Sequence, residues 1–74
     1  MNKVYIIAVF RTRTYTYGYF NELKKHNIRA TIVDTPQQGK VACGISVKFA
    51  FEDWAKAQQY LKNYKSGFVS FLRN

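Results

Sequence analysis

The chain has too few cysteines and histidines for the bonds that usually reinforce very small domains. Cys43 is its single cysteine and His26 its single histidine. One chain can therefore assemble neither an internal disulfide nor a set of zinc ligands, and we expect no metal and no cofactor. At 74 residues the chain is near the lower limit for one unassisted hydrophobic core, and we expect a single domain over residues 1–74.

Glycines and catalytic groupings are also sparse. The four glycines are isolated from one another, which excludes a glycine-rich phosphate loop. No serine or carboxylate stands at a recognisable spacing from His26 or Cys43 that would indicate a catalytic triad. The residues therefore favour a carrier or binding protein over a stand-alone enzyme.

No hydrophobic run is long enough to cross a membrane. The longest β-prone stretch, Val4 to Phe10, is far short of the about 20 residues that a transmembrane helix needs. The N-terminal segment also lacks a small-residue cleavage site. We interpret the protein as cytoplasmic, without a membrane partner, and Cys43 as a free thiol in a reducing compartment.

Acidic residues are the scarcest charged group. Four acidic residues face twelve basic ones, which gives a net charge of +8, and a basic surface attracts anions. The basic residues are scattered over every segment, without the run of five or more that marks a disordered binding tail. The charge on its own favours an ordinary solvated surface, and a surface for an acidic protein or for weak nucleic-acid binding is the alternative.

The spacing of apolar residues predicts six elements. Val4 to Phe10 is a continuous apolar run, typical of a strand at the centre of a sheet. The hydroxyls between Arg11 and Thr14 suit the start of a helix, predicted from Thr14 to His26. Strands are predicted at Ile28 to Val33, Ile45 to Phe49 and Phe68 to Leu72, and a second helix at Glu52 to Tyr64.

The order β-α-β-β-α-β predicts a ferredoxin-like α+β fold, a four-stranded antiparallel sheet with both helices on one face. In that topology the loop after strand 2 and the loop after strand 1 lie at the same end of the sheet. Cys43 is therefore expected near the start of helix 1, a setting that attracts anions and favours a thiolate. The candidate site consists of Cys43 with the surrounding residues Gly44, Arg11, Arg13, Thr14 and Lys40.

A different interpretation of Cys43 stays open from composition alone. Isolated cysteines are among the most buried residues, and they often serve as small apolar side chains at the start of a strand. Whether Arg11, Arg13 or Lys40 lies close enough to act on the thiol cannot be deduced from the spacing.

One motif is more specific. Asp34-Thr35-Pro36, a short loop, the stretch Cys43 to Phe49 and then Glu52-Asp53 before a helix resemble the small bacterial family of selenium/sulfur carrier-like proteins. The resemblance extends from about Val4 to Phe71. It implies a thiol carrier that accepts sulfur or selenium on Cys43 from a donor protein. This chain differs in its more basic surface and in helix 1, where relatives are rich in alanine and leucine and this chain has Tyr15, Tyr17, Gly18 and Tyr19.

Carrier chemistry places simple demands on the sequence. A persulfide carrier needs an accessible thiol, a pKa low enough for attack on a donor's terminal sulfur, and no second thiol that would release the cargo as a disulfide. The single cysteine meets the third demand. Its position beside Gly44, between a polar turn segment and an amphipathic strand, favours an accessible thiol.

Two other functions are compatible with the same fold. Ferredoxin-like sheets bind RNA when aromatic residues on strands 1 and 3 stack bases, but Tyr5 is the single candidate here if Phe49 packs under the helices. We therefore expect weak nucleic-acid binding at most. Strand 1 is apolar on both faces, including Ile7 and Val9, so we expect a second subunit to cover the open face and form a homodimer. A regulatory homo-oligomer without chemistry at Cys43 is therefore the other alternative.

Overall fold

The element order predicted from the sequence is confirmed in the computed structural model, which describes residues 3–36 and 44–73. The strands are β1 (Tyr5–Phe10), β2 (Ala30–Asp34), β3 (Ile45–Ala50) and β4 (Phe68–Arg73), and the helices are α1 (Arg13–Lys25) and α2 (Trp54–Gln59). Short 3-10 helices at Phe51–Asp53 and Lys62–Gly67 flank α2.

The four strands form one antiparallel sheet in the order β2-β3-β1-β4. This arrangement is the ferredoxin-like α+β fold, so the predicted fold class is confirmed. β1 lies between β3 and β4, and its residues from Ile6 to Phe10 are all buried. Its unbroken apolar run has a direct cause, since a central strand loses contact with water on both faces.

Both helices pack on the same face of the sheet. Tyr19 and Leu23 of α1 share one hydrophobic core with Ala57 of α2 and with the inward side chains of β1. Phe49 of β3 belongs to this core and is only 1% exposed. Burial of these apolar side chains is the main term that stabilises so small a domain, and it removes Phe49 from the open face.

The second helix is shorter than the sequence predicts. A single helix was expected from Glu52 to Tyr64, whereas α2 has six residues and the chain continues through the 3-10 helix Lys62–Gly67. The apolar stripe Trp54, Ala57, Leu61 and Tyr64 advances mainly in steps of three, which suit a 3-10 helix as well as an α-helix. The pattern therefore could not distinguish the two.

β2 also begins two residues later than predicted. Asn27 has a φ of 64°, and its amide and that of Ile28 donate to the carbonyls of Lys24 and Leu23 at 3.1 and 2.9 Å. These two bonds form a Schellman motif, which satisfies the last carbonyls of α1. Ile28 closes the helix and fills the core instead of opening the strand.

Gly18 lies in α1 because the ring of Tyr64 packs directly on it. A Cβ built at Gly18 would be 2.6 Å from Cε1 of Tyr64, which is too close for two carbon atoms that are not bonded to each other. The Tyr64 ring is held on its other sides by edge contacts with Tyr15 and Tyr19, at centroid distances of 6.4 and 6.0 Å. The glycine weakens the helix intrinsically and permits this aromatic packing.

Gly18→Ala should therefore lower the free energy of unfolding, although alanine is the better helix former. In a Tyr64→Ala background the same change should raise it by about 1 kcal/mol, the intrinsic preference of a helix for alanine over glycine. Urea denaturation of the four proteins in this cycle measures both values. If Gly18→Ala changed the free energy of unfolding in the same direction in both backgrounds, the Tyr64 ring would not explain the glycine.

The open face of the sheet is partly apolar. Tyr5, Ile7 and Val9 lie on it, opposite Ala50, Lys48 and Ser46 of β3. Ile7 and Val9 are 7% and 0% exposed within the single chain, while Tyr5 and Leu72 are half-buried. The homodimer stays a prediction, with Leu72 as one of the apolar side chains that a second subunit would cover.

A lysine at Leu72 tests that prediction. Leu72 pairs with Ile7 in the sheet, so Leu72→Lys should dissociate a dimer formed through this face, since an unpaired charge in an apolar interface is costly. Gln58→Lys on the exposed side of α2 provides a control with the same added charge. Sedimentation at micromolar concentration gives the measurement, and a monomeric unmodified protein would refute the dimer.

Candidate functional site

One end of the sheet gathers the turn after β1 and the loop between β2 and β3. Val9 is opposite Ser46 and Asp34 is opposite Ile45 in the strand register. Gly44 directly precedes Ile45, so it lies at the sheet end where β1 leads into α1. The topology argument made from the sequence placed these segments together for the same reason.

The first turn of α1 carries positive charge only. Thr12 is the N-cap, and its hydroxyl accepts a hydrogen bond from the Tyr15 amide at 3.3 Å, which satisfies one of the free amides of the first turn. No acidic residue lies in this turn, whereas the exposed side chains of Arg11 and Arg13 flank the cap. Arginines beside the positive end of a helix dipole make this sheet end attractive to anions.

A threonine joins α1 to the start of β3. The Thr16 hydroxyl lies 3.0 Å from the carbonyl of Thr12 and 3.4 Å from the carbonyl of Ile45. Thr16 is fully buried, so this hydroxyl needs an acceptor within the protein. The contact holds the beginning of the helix against the residue that follows Gly44.

Gly44 is required by its backbone conformation. Its φ is +98°, and residues that have a Cβ rarely adopt this backbone conformation. No described atom lies within 4 Å of the position of a Cβ, so space is not the constraint at this residue. The glycine turns the chain into β3 immediately after Cys43.

Thr35, which follows β2, is hydrogen-bonded to residues at the start of β3. Its amide donates to the Gly44 carbonyl at 2.8 Å, and its hydroxyl pairs with that of Ser46 at 2.7 Å. Pro36 follows and has no amide with which to continue the ladder. Thr35 of the Thr-Pro pair and Gly44 of the Cys-Gly pair are therefore adjacent in space and joined by this hydrogen bond.

The sequence-based interpretation did not assign a role to Thr35 or Ser46. Thr35 belongs to the motif that carries the family resemblance, and Ser46 is a polar residue at a strand position that proves fully buried. A buried hydroxyl predicts a nearby partner, but its identity depends on the strand register.

The predicted site residues have different outcomes. Gly44, Arg11, Arg13 and Thr14 lie at or beside this sheet end, and the three side chains of the helix start are exposed. Cys43 and Lys40 lie outside the described residues. The site that these six residues were predicted to form stays a prediction.

His26 has a structural environment at the far end of α1. Its Nε2 lies 3.1 Å from a carboxylate oxygen of Glu22, and its ring stacks on Tyr60 at a centroid distance of 4.0 Å. Over residues 3–36 and 44–73, no three acidic, cysteine or histidine side chains are grouped so that they could hold a metal ion. No helix in this part of the chain is long and apolar enough to span a bilayer.

The fold and this sheet end define a small ferredoxin-like α+β domain with a basic helix start beside a glycine turn. The sequence model of the family described as Putative Se/S carrier protein-like matches residues 5–72. This match covers nearly the whole chain, and the chain belongs to that family, as the resemblance predicted. No curated protein matches the chain.

The hydroxyl pair at the base of the loop can be tested by a mutant cycle. Thr35→Val should lower the free energy of unfolding by about 1–3 kcal/mol, since it leaves the buried hydroxyl of Ser46 without its partner. Adding Ser46→Ala should recover most of this loss, because neither hydroxyl then remains. Denaturant unfolding of the single and double variants gives the coupling energy, and strictly additive losses would mean that the pair contributes nothing.

Proposed function

We propose that this protein carries sulfur or selenium on the thiol of Cys43, between a donor protein and an acceptor. The family match over residues 5–72 carries the proposal. Two further observations support it. Cys43 is the single thiol of the chain, and the residue bonded to it, Gly44, lies at the same sheet end as the basic start of α1.

The loading step is a thiol exchange. The Cys43 thiolate attacks the terminal sulfur of a donor persulfide, a bond forms between these two sulfur atoms, and the sulfur–sulfur bond of the donor breaks. The donor cysteine leaves as a thiolate with the electron pair of that bond. No external oxidant or reductant is consumed, and an acceptor thiolate removes the sulfur by the same exchange.

The charges at this sheet end suit such a step. Arg11, Arg13 and the amides at the start of α1 favour an anion, and the first turn of α1 holds no carboxylate. The two arginines outnumber Asp34, the acidic residue of β2 at this sheet end. The attacking Cys43 thiolate and the donor thiolate that leaves are both anions and benefit from the same groups. We therefore expect the pKa of Cys43 to lie below that of a free cysteine thiol.

RNA recognition by base stacking has less support. Phe49 is buried under the helices. Tyr5 is the one aromatic side chain that β1 offers to the open face, and the ammonium of Lys48 lies 4.4 Å from the centroid of its ring. Stacking platforms of this fold need free aromatic faces. Weak binding of nucleic acid through charge alone stays a secondary proposal.

The carrier proposal predicts a mass change. Incubation of the intact protein with a cysteine desulfurase and cysteine should add one sulfur atom, removable by a thiol reductant, and Cys43→Ser should prevent the addition. Intact-protein mass spectrometry makes the measurement. Failure of the unmodified protein to gain sulfur from a desulfurase or from a low-molecular-weight persulfide would refute the proposal.

The pH dependence of alkylation tests the role of the arginines. With Arg11→Gln and Arg13→Gln together, the midpoint of iodoacetamide labelling should move to higher pH, because two charges that favour the thiolate are lost. Lys56→Gln in α2 is the control and should leave the midpoint unchanged. Labelling that requires denaturant would identify Cys43 as a buried structural residue.

A further inference from the structure

A groove of about 860 Å³ lies at the end of the sheet opposite Gly44. It is bordered by the start of β1 at Tyr5 and the end of β3 at Ala50, which pair with each other, and by the start of β2. Four basic side chains line it, namely Lys3, Lys24, Arg29 and Lys48, together with the acidic Glu52 and Asp53.

These four cations have no carboxylate partner within the described part of the chain. The one ion pair found there joins His26 to Glu22, at the end of α1. Lys48 lies over the ring of Tyr5, and Lys24 lies 5.1 Å from the ring centroid of Phe20. The four basic side chains outnumber the two acidic ones, so the groove is positively charged overall and raises the local concentration of anions.

The groove borders a free strand edge. β2 is an outer strand in the order β2-β3-β1-β4. The hydrogen bond from the Thr35 amide to the Gly44 carbonyl shows which residues of β2 direct their backbone groups toward β3. By the alternation of an antiparallel ladder, Thr31 and Val33 bond to β3, and the backbone groups of Ala30 and Ile32 point outward. No described residue outside β3 bonds to this edge.

Native proteins usually protect such an edge. Lysine, proline, a bulge or a covering loop are the common devices, and the five residues of β2 carry one charge, Asp34 at the far end. Its register with β3 is regular from Ala30 to Asp34. The edge is thus a template for another extended strand, and the positively charged groove lies next to its first residues, Ala30 and Thr31.

We infer that the groove and the β2 edge dock an acidic polypeptide segment in extended conformation. The segment adds a fifth strand beside β2, with main-chain hydrogen bonds to Ala30 and Ile32, and its carboxylates lie against Arg29, Lys24 and Lys48. Strand addition of this kind takes its affinity from the main chain and its specificity from alternate side chains. This inference is independent of the chemistry at Cys43.

Two features favour a polypeptide over other anionic or extended partners. A strand edge alternates donors with acceptors, and a polypeptide strand matches both, whereas a phosphodiester backbone offers acceptors only. A second copy of this chain would match the edge, but it brings the same net charge of +8 and the same cations to the groove. Like charges brought together in this way oppose association.

The charge of the groove is tested with synthetic peptides. A dye-labelled decapeptide of alternating Glu and Thr should bind with an affinity that falls with salt, and the matching Gln-Thr peptide should bind about tenfold more weakly. Arg29→Glu and Lys48→Glu should each weaken binding by a similar factor. Lys62→Glu, the same charge change outside the groove, should have little effect, and Glu52→Gln should strengthen binding. Fluorescence anisotropy gives these affinities.

The strand edge is tested without changing charge. Ala30→Pro removes an outward-facing amide at the first residue of an edge strand, where proline is tolerated, and should weaken the Glu-Thr peptide about tenfold. Ala30→Val keeps the amide and should bind like the unmodified protein. Thermal unfolding of both variants checks that the fold is retained. Equal binding by Ala30→Pro would overturn strand addition.

Two further results would overturn the inference. One is that a dye-labelled oligouridylate binds more tightly than the Glu-Thr peptide and depends in the same way on Arg29 and Lys48. The other is sedimentation showing a dimer that Ala30→Pro and Arg29→Glu dissociate, without peptide binding. Cys43→Ser should bind the peptide normally, so the docking and the carrier proposals can fail separately.

Discussion

The structure depends most on the burial of Tyr19. This side chain is fully buried, its ring packs on Phe10 of β1 at a centroid distance of 5.2 Å, and its hydroxyl donates to the carbonyl of Ala57 in α2 at 2.6 Å. Burial raises its phenol pKa above the ordinary value, since the low-dielectric core disfavours the phenolate. A single residue thus links the central strand to both helices, and Tyr64 packs around it.

The elements dominated by one strong pattern could be predicted from the sequence. The apolar run of β1 identified the central strand, and the hydroxyls before α1 identified its N-cap region, where Thr12 performs the role. Predictions failed where one pattern fits two structures. Ile28 continues an apolar strand pattern, but its amide closes α1, and the three-residue step from Leu61 to Tyr64 suits either kind of helix.

The candidate site was predictable to the extent that topology determines it. The ferredoxin-like connectivity predicted that the loop between β2 and β3 lies at the sheet end where α1 begins, and no local pattern was needed for that step. The pairing of Thr35 with Ser46 could not be predicted, because it depends on the exact register of β2 against β3, and a shift of one residue would point every side chain to the other face. The side chains that organise the base of the loop were therefore missed, although the motif contains them.

The position of β1 has a consequence for how the chain folds. β1 is the first strand in the chain, and its second neighbour, β4, is the last, with Ile6 opposite Arg73. Contacts between residues so far apart in sequence form slowly, because closing a long loop costs entropy before any contact forms. During synthesis the central strand remains unpaired on one side until β4 has been made. The sheet is therefore completed only after β4 has been translated, and until then one edge of the apolar strand β1 lacks its hydrogen-bonding partner.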